Sequence, residues 1–186
     1  RMFQLLTEYN ADIISPDIFP NAQRSWKSEI IMTLSGRMRA RRHDNVSGYK
    51  IMRTGGYSYN ANPTEEVYWS QTNAGACFLC RKADFLNIHF WDELWMDSMS
   101  YAIGEDQAMF YKMHKYGLKQ LTWYKHQFVH LDAGNNMIPE KERKRLYGDI
   151  YFKTIFWHRF IYTPEKNILA KLWDIACITY YLTFTL

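Results

Sequence analysis

Hydrophobic residues near the start of the chain change from a helical spacing to a continuous run. Apolar residues at positions 2, 3, 5, 6 and 9 have the spacing of a helix, which Asn10 can end in a left-handed conformation. The apolar residues at 11–16 predict a short buried strand that stops at Pro16. A helix followed directly by a buried strand is typical of one half of a βαβ unit. Because the preceding strand is not in the sequence, we expect the chain to be a piece of a longer protein.

The same alternation continues along the chain and predicts an α/β fold. Apolar spacing predicts a helix over 26–42, and Gly, Asn and Pro residues predict a loop with a hairpin over 49–68. Strand-like segments lie on both sides of a turn at 73–75. The remaining predictions are, in chain order, a short helix from Lys82, a helix over 107–116 that ends at Gly117, strands at 118–123 and 128–131, and a charged helix from Pro139.

Composition limits the class of protein. The chain of 186 residues and 22.3 kDa is long enough for one domain or slightly more. Its 47% of hydrophobic and 23% of charged residues exclude a disordered or collagenous chain. Aromatic residues are frequent, at 17%. This content suits a packed core together with a surface that stacks on planar or sugar-like ligands.

Positive charge is concentrated in two places. The net charge is +4, and the segment 139–171 carries eight Lys or Arg residues against four acids. A second, compact run consists of Arg37, Arg39, Arg41 and Arg42. Basic runs bind nucleic acid, anionic lipid or sugar phosphates, or they form a solvated helix face. Since no nucleic-acid-binding motif accompanies these runs, we expect no nucleic-acid partner.

Cysteine content and hydropathy bear on the cellular compartment. Cys77, Cys80 and Cys177 are too few for a disulfide framework, and the C-x-x-C pair lacks the second pair of a zinc site. We interpret them as reduced core thiols of a cytoplasmic protein, the first two in a buried strand at 75–80. The apolar stretch 173–186 is too short to span a bilayer, and is either a core helix or an interfacial element.

Two acids, Glu105 and Asp106, stand at the predicted start of a helix. A carboxylate there faces free backbone N–H groups and the positive end of the helix dipole. Both favour its ionised form, which makes the group a ready proton acceptor. The alternative is an N-terminal helix cap, a position where acids are common.

Two further features are candidate ligand contacts. His130 follows a short apolar strand and precedes a loop rich in Gly and Asn, which is a position suited to a ligand. Histidines in such positions also serve as ordinary core or surface residues. The turn at 73–75 consists of Asn, Ala and Gly, and small residues let a bulky ligand approach the backbone closely.

Four short segments, in this order along the chain, resemble family 2 glycosyltransferases. The segment 75–85, GACFLCRKADF, is similar to the family's glycine segment, G-a-x-f-l-x-R-x-x-x-F. The segment 90–94, FWDEL, is similar to its F-D-E element. The segment 104–117, GEDQAMFYKMHKYG, resembles its E-D element, and 128–130, FVH, resembles its downstream histidine.

The resemblance implies an α/β fold, namely part of a GT-A, Rossmann-like mixed sheet flanked by helices. Residues 1–135 would be the acceptor-side part of that domain, and 136–186 a basic, aromatic, helical C-terminal extension. The first half of a GT-A fold binds the nucleotide and ends in an Asp-x-Asp metal motif, which this sequence lacks. We therefore expect the nucleotide-binding half to lie outside this chain.

The resemblance also assigns chemical roles. Asp106 would be the base that deprotonates the acceptor hydroxyl in an inverting transfer, with Glu105 supporting it. His130 would help to hold a divalent metal, Mn²⁺ or Mg²⁺, on the donor diphosphate. The expected substrate-binding residues, which line the cleft or offer a stacking face, are Asn73, Ala74, Gly75, Trp69, Asp92 and Glu93.

The function implied by the resemblance is transfer of a sugar from a nucleotide-sugar donor to a glycan or lipid-linked acceptor. Synthesis of bacterial cell-surface polysaccharide is the expected setting. On this view the protein is cytoplasmic, and the segment 139–186 contacts the inner face of the membrane. The alternative is a non-catalytic module that binds carbohydrate or a partner, which explains the aromatic content and the missing metal motif.

Overall fold

The computed structural model describes residues 1–18, 26–39, 46–98, 103–128 and 139–184. These residues form a mixed α/β structure in which helices surround a four-stranded sheet. In chain order the elements are α1 (Met2–Glu8), β1 (Ile13–Pro16), α2 (Trp26–Leu34), β2 (Lys50–Ile51), β3 (Tyr57–Ser58), β4 (Val67–Ser70), β5 (Leu79–Cys80), α3 (Lys82–Asn87), two 3₁₀ turns (Phe90–Asp92 and Leu94–Met96), α4 (Glu105–Lys115), β6 (Gln120–Trp123), α5 (Pro139–Phe156), a π-helical turn (Trp157–Tyr162) and α6 (Ile168–Phe184).

The strand order in the main sheet is β4-β6-β1-β5. Its two central strands, β1 and β6, are parallel, with Ile14 opposite Leu121. Both outer strands are antiparallel to their neighbours, since β4 pairs with β6 and β5 pairs with β1. The separate pair β2–β3, in which Ile51 faces Tyr57, confirms the hairpin predicted within 49–68.

Side chains of β1 alternate between two hydrophobic layers, as the pleat of a strand requires. Ile14 packs with Leu5 of α1 and Leu121 of β6 on one side of the sheet. Ile13 packs with Phe110 of α4 on the other side. The sheet therefore has α1 on one face and α4 on the other.

The helix and strand predicted from the first hydrophobic pattern are confirmed. α1 ends just before Asn10, whose φ of +48° is the left-handed conformation predicted for it. β1 is buried along its whole length and stops at Pro16. Gly117, with a φ of +87°, follows the end of α4 in the same manner.

The helix predicted over 26–42 is too long, because α2 ends at Leu34. Gly36 adopts a φ of +67°, a left-handed conformation that turns the chain out of the helix. Apolar residues recur beyond this point, but hydrophobic spacing alone does not register the conformation of a single glycine.

The two described arginines of the compact basic run have partners within the protein. The Arg37 guanidinium lies 5.3 Å from the ring centroid of Tyr181. Buried Arg39 donates to the Gly48 carbonyl at 2.6 Å. Their positive charges are therefore partly used inside the fold, while the arginines at 41 and 42 lie outside the described residues.

The run at 75–80 is not the buried strand that was predicted. Only its last two residues form β5, an edge strand that pairs with β1 over two positions. Cys77 and Cys80 are half-buried, whereas Cys177 is buried. Burial raises the pKa of Cys80 and of Cys177, so both stay protonated at neutral pH.

α5 and the π-helical turn that follows it share a hydrophobic cluster with α4. Phe152 and Phe156 of α5 are fully buried against Ala108 and Tyr111. These two phenylalanines of α5 are thus part of the core that positions α4. None of the described helices is long and apolar enough to cross a membrane.

α6 is not the core helix that was one interpretation of the apolar C-terminal stretch. Its buried described residues are Asp174, Cys177 and Ile178. Other apolar side chains, including Leu169 and Trp173, are exposed. A hydrophobic pattern reveals the apolar face of a helix, but it does not reveal whether another element covers that face.

Candidate active site

The start of α4 and the glycine turn at 73–75 meet in the structure, although 31 residues separate Gly75 from Asp106. Asp106 Oδ2 accepts a hydrogen bond from the Gly75 N–H at 3.1 Å. Its Oδ1 accepts one from the Gln107 N–H at 2.7 Å. Each carboxylate oxygen can accept a further hydrogen bond, so Asp106 is fixed by the backbone and still able to bind a ligand.

Two glycines permit the close packing at this point. A Cβ atom at Gly75 would lie 2.7 Å from the Cβ of Asp106, so a side chain there would push the turn away from α4. Gly104, which precedes α4 with a φ of +79°, is covered by the ring of Phe152. A Cβ atom at Gly104 would overlap that ring, which means that glycine is needed for both conformation and space.

Polar side chains of the two central strands hold the turn on the sheet. The Asn73 amide donates to Gln120 Oε1 at 3.3 Å and accepts from the Thr122 hydroxyl at 2.6 Å. The Ser15 hydroxyl donates to the Ala74 carbonyl at 2.8 Å. Because Asn73 and Ala74 are buried, their contacts position the Gly75 N–H beside Asp106.

A cavity of about 380 Å³ opens beside Asp106. The residues that line it come from β3, the start of α4 and α5: Tyr57, Ile103, Gly104, Glu105, Asp106, Gln107, Asp149, Phe152 and Lys153. Within this wall Glu105 is exposed and Asp106 is half-buried. The two acids for which the resemblance implied catalytic roles therefore border the same cavity.

Asp149 and Lys153 are lining residues that the sequence interpretation missed. They lie four positions apart on α5, a spacing that places both on one helix face. An acidic and a basic residue four positions apart can be seen in the sequence. Because such pairs are common on solvated helices, the spacing does not indicate a functional site. Packing of Phe152 against Gly104 is what turns this face of α5 toward Asp106.

Burial and nearby charges shift the pKa values of two side chains that line the cavity, Lys153 and Tyr57. Burial lowers the pKa of the Lys153 ammonium, and the nearby Asp149 and Asp106 carboxylates oppose that change. Burial, and then the charge of Asp106, raise the pKa of Tyr57 to about 12. The Tyr57 phenol therefore keeps its proton at neutral pH and is a hydrogen-bond donor.

Buried Gln107 links the cavity to the β2–β3 hairpin. Its Nε2 donates to the Gly55 carbonyl at 2.6 Å. Its Oε1 accepts from Lys153 Nζ at 3.3 Å. The side-chain amide thus holds the Lys153 ammonium at the cavity through contacts that α4 and the hairpin provide.

Glu93, which was expected to bind substrate, is buried in an ion network. Its carboxylate lies 2.8 Å from Lys112 Nζ and 2.9 Å from an Arg159 nitrogen, and it accepts the Trp95 indole N–H at 2.7 Å. Burial alone would raise the pKa of Glu93, but these partners hold it below its ordinary value. The neighbouring Asp92 is exposed, and the prediction that it binds substrate stays a prediction.

Trp69 lies on the opposite face of the sheet from Asp106. It stands opposite Leu121, whose side chain packs against α1, and its ring centroid lies 6.5 Å from that of Tyr9. Trp69 is 46% exposed, so its ring is accessible on that face. The structure therefore does not bring Trp69 to the cavity.

The metal-ligand prediction concerns His130, which lies outside the described residues. Most of the strand predicted at 128–131 is also outside them, and Phe128, which is described, is in no strand. Among the described residues, no group of three or more His, Cys, Asp or Glu side chains could hold a metal ion. No step below depends on a metal ion.

The cavity combines proton acceptors with hydrogen-bond donors. Asp106, Glu105 and Asp149 supply carboxylates, while Tyr57 and Lys153 supply donors. A volume of about 380 Å³ lies within the range of sites for small ligands. The arrangement is suited to a ligand rich in hydroxyl groups, from which a carboxylate can take a proton.

The chain matches no protein-family model, no curated protein and no solved structure. Its function is therefore inferred from the residues that border the cavity. Their contacts and charges, together with the segments that resemble a known family, are the basis of the proposal that follows.

Proposed function

We propose that the protein is a glycosyltransferase of the family 2 type, which moves a sugar from a nucleotide-sugar donor to an acceptor hydroxyl with inversion. The observation that carries this proposal is the hydrogen bond between Asp106 and Gly75. It joins the glycine segment, at Gly75, to the E-D segment at Asp106. Asp106 borders the cavity, whereas residues 73–85 are not among those that line it. This contact between two of the four resembling segments supports the resemblance.

The proposed reaction is a single displacement. The acceptor oxygen attacks the anomeric carbon of the donor while its proton passes to the Asp106 carboxylate. The new C–O bond forms as the bond to the diphosphate breaks, and the nucleoside diphosphate leaves with the electron pair. A base is needed because a sugar hydroxyl is a poor nucleophile until its proton is taken.

Neighbours of Asp106 have supporting roles in this proposal. The Gly75 and Gln107 N–H groups fix the two carboxylate oxygens, and each oxygen keeps a further acceptor site for the acceptor hydroxyl. Exposed Glu105 accepts hydrogen bonds from acceptor hydroxyls. The Lys153 ammonium offsets negative charge in the cavity during transfer.

We further propose that residues 1–135 are the acceptor-side part of a GT-A fold, with 136–186 as a helical extension. The parallel pair β1–β6, bordered on each side by an antiparallel strand, supports a Rossmann-like mixed sheet. The nucleotide-binding half and a Mn²⁺ or Mg²⁺ ion would belong to the full-length enzyme, with His130 among the ligands. Bacterial polysaccharide synthesis in the cytoplasm, on a glycan or lipid-linked acceptor, is the proposed setting.

The coding sequence upstream of Arg1 tests the GT-A assignment directly. It should encode a Rossmann-like segment that ends in an Asp-x-Asp motif. A natural start codon at Met2 would contradict this assignment and would favour a binding module.

Replacing Asp106 by Asn in the full-length enzyme tests the proposed base. The amide oxygen of Asn can still accept the Gly75 N–H, but the side chain cannot take a proton. With a panel of UDP- and GDP-sugars, nucleoside diphosphate release on transfer should fall by about 10²–10⁴-fold, and calorimetry should show unchanged donor binding. The matched control is Asp97→Asn at an exposed acid, which should keep wild-type turnover. Wild-type turnover in Asp106→Asn would contradict the assignment.

Exposed tryptophans favour one second candidate, a non-catalytic module that binds carbohydrate or a partner. Trp91 is 56% exposed, and the exposed ring of Trp69 lies on the other face of the sheet. Tryptophan rings offer large flat surfaces to sugars. Such a module should bind glycans equally well with and without Mn²⁺ and nucleotide, which calorimetry under both conditions would reveal.

A further inference from the structure

Helices α2 and α6 turn large apolar side chains toward solvent. Eight of these side chains are between 49% and 72% exposed: Trp26, Ile30, Ile31, Leu34, Ile168, Leu169, Leu172 and Trp173. Single exposed apolar residues are ordinary, but a contiguous patch of them marks an interaction surface.

The two helices form one surface, because they line the same groove. Ile31 and Leu34 of α2 face Trp173, Cys177 and Tyr180 of α6 across a space of about 380 Å³. We call these two exposed helix faces and the groove between them the α2–α6 surface.

A helix at the surface of a soluble protein usually buries apolar residues and exposes charged ones. In α6 the acid is buried and several apolar residues are exposed. Its acid, Asp174, points inward, where an oxygen lies 2.7 Å from an Arg53 nitrogen. Asp174 is 1% exposed, while Leu169 and Leu172 on the outer face are open. The negative charge of α6 is therefore removed from the α2–α6 surface and neutralised.

Basic side chains border the α2–α6 surface. Lys27 and Lys166 are exposed at its edges. Arg37 and Lys171 lie against aromatic rings, the Lys171 ammonium 4.8 Å from the ring centroid of Tyr162. Glu29 on α2 and Glu165 beside Lys166 are the acids near this surface, so the four basic groups outnumber them. An apolar face bordered by cations and aromatic rings is complementary to an anionic lipid surface.

We propose that the α2–α6 surface docks onto an anionic bilayer, with its apolar side chains at the level of the lipid headgroups and its basic residues on the lipid phosphates. This extends the expectation from sequence in one respect. The contact is made by α2 together with α6, and not by the basic start of α5. It is also independent of the proposed sugar transfer, because lipid binding is measured without a donor or an acceptor.

Vesicle co-sedimentation of the 186-residue chain tests the docking surface. Phosphatidylcholine vesicles with and without phosphatidylglycerol serve as probes. Leu169→Glu should weaken binding to the anionic vesicles by about ten-fold or more, because a leucine that enters the lipid headgroup layer on docking is replaced by a charge. Lys171→Gln should weaken it by about five-fold, and added salt should weaken wild-type binding.

The matched control is Leu94→Glu, since Leu94 is 68% exposed and lies outside the α2–α6 surface. It should bind anionic vesicles as the wild type does. Circular dichroism and analytical ultracentrifugation of each variant report folding and oligomeric state. Equal binding of Leu169→Glu and Leu94→Glu would overturn the proposal. Wild-type binding that is equal with and without phosphatidylglycerol would also overturn it. A third contradicting result is that the wild type binds no vesicles but forms a dimer, and that Leu169→Glu dissociates this dimer.

Discussion

Two carboxylates near α4, those of Glu93 and Asp106, show how differently the same chemical group is used in this protein. Glu93 is buried, and Lys112, Arg159 and the Trp95 indole occupy its oxygens. Asp106 is half-buried, and among the described residues its hydrogen-bond donors are two backbone N–H groups at the edge of a cavity. Both side chains end in the same carboxylate group. Their surroundings therefore decide which of the two acids has a structural role.

Two features distinguish the structural role of Glu93 from the proposed catalytic role of Asp106: pairing with cations and access to a cavity. A buried carboxylate with two cations and an indole has its hydrogen-bonding capacity used within the fold. A carboxylate whose donors among the described residues are two backbone N–H groups keeps acceptor sites for a ligand. We therefore expect changes at Glu93 to alter stability and changes around Asp106 to alter transfer.

Breaking the Glu93 network should produce the largest loss of stability. Glu93→Gln leaves the Lys112 ammonium and the Arg159 guanidinium without their carboxylate, so the free energy of unfolding should fall by about 3 kcal/mol or more. Urea denaturation measures this change. Asp92→Asn, an adjacent exposed acid, is the control and should stay within about 0.5 kcal/mol of the wild type. A smaller loss for Glu93→Gln than for the control would break the comparison.

Removing the Lys153 charge should mainly affect transfer. Lys153→Gln in the full-length enzyme should lower the turnover by about 10²-fold, because the ammonium no longer offsets charge in the cavity. Lys141→Gln, at an exposed lysine on the same helix, should leave turnover unchanged. Equal rates for the two variants would remove Lys153 from the site.

The glycine that precedes α4 offers an intermediate effect on stability. Gly104→Ala should lower the free energy of unfolding by about 2 kcal/mol, since the new Cβ overlaps the Phe152 ring and strains a φ of +79°. Gly117→Ala shares the positive φ but has no atom within 4 Å of its Cβ, so it should cost only about 1 kcal/mol. Thermal or urea denaturation compares the two. Equal losses would show that packing of Phe152 on Gly104 is unimportant.

The smallest effect is a dependence of stability on pH. The Lys112 and Arg159 charges hold the pKa of Glu93 below its ordinary value, so Glu93 stabilises the fold above the unfolded-state pKa of about 4.3. This contribution is lost as pH falls through the lower folded-state pKa. The difference in unfolding free energy between the wild type and Glu93→Gln should therefore shrink in acid. A difference that is constant from neutral to acidic pH would contradict the pairing.

Local sequence chemistry predicts the parts of the fold that depend on neighbouring residues. The spacing of apolar residues and a left-handed residue define α1, and the same signals define the end of α4 at Gly117. The short apolar run at 11–16 predicts β1 correctly. These elements need no information from distant residues.

Contacts between distant residues explain what the sequence could not predict. Arg159 follows Glu93 by 66 residues, so the ion network has no local pattern. Lys153 and Asp149 have the spacing of an ordinary surface pair until Phe152 packs on Gly104. The apolar spacing of α2 resembles that of a covered helix, although Leu34 is exposed. The hydrophobic pattern of the sequence shows which residues form the apolar face of a helix. Only the tertiary structure shows which other residues pack against that face.

The central claim, that Asp106 acts in the chemistry and Glu93 in the fold, is tested most directly by measuring two quantities on the same variants. In the full-length enzyme, the transfer rate per folded molecule and the free energy of unfolding are determined for Asp106→Asn and Glu93→Gln. Asp106→Asn should lose about 10²–10⁴-fold in rate and about 1 kcal/mol or less in stability. Glu93→Gln should keep its rate per folded molecule and lose stability. A wild-type rate in Asp106→Asn, or loss of transfer at full stability in Glu93→Gln, would contradict the claim.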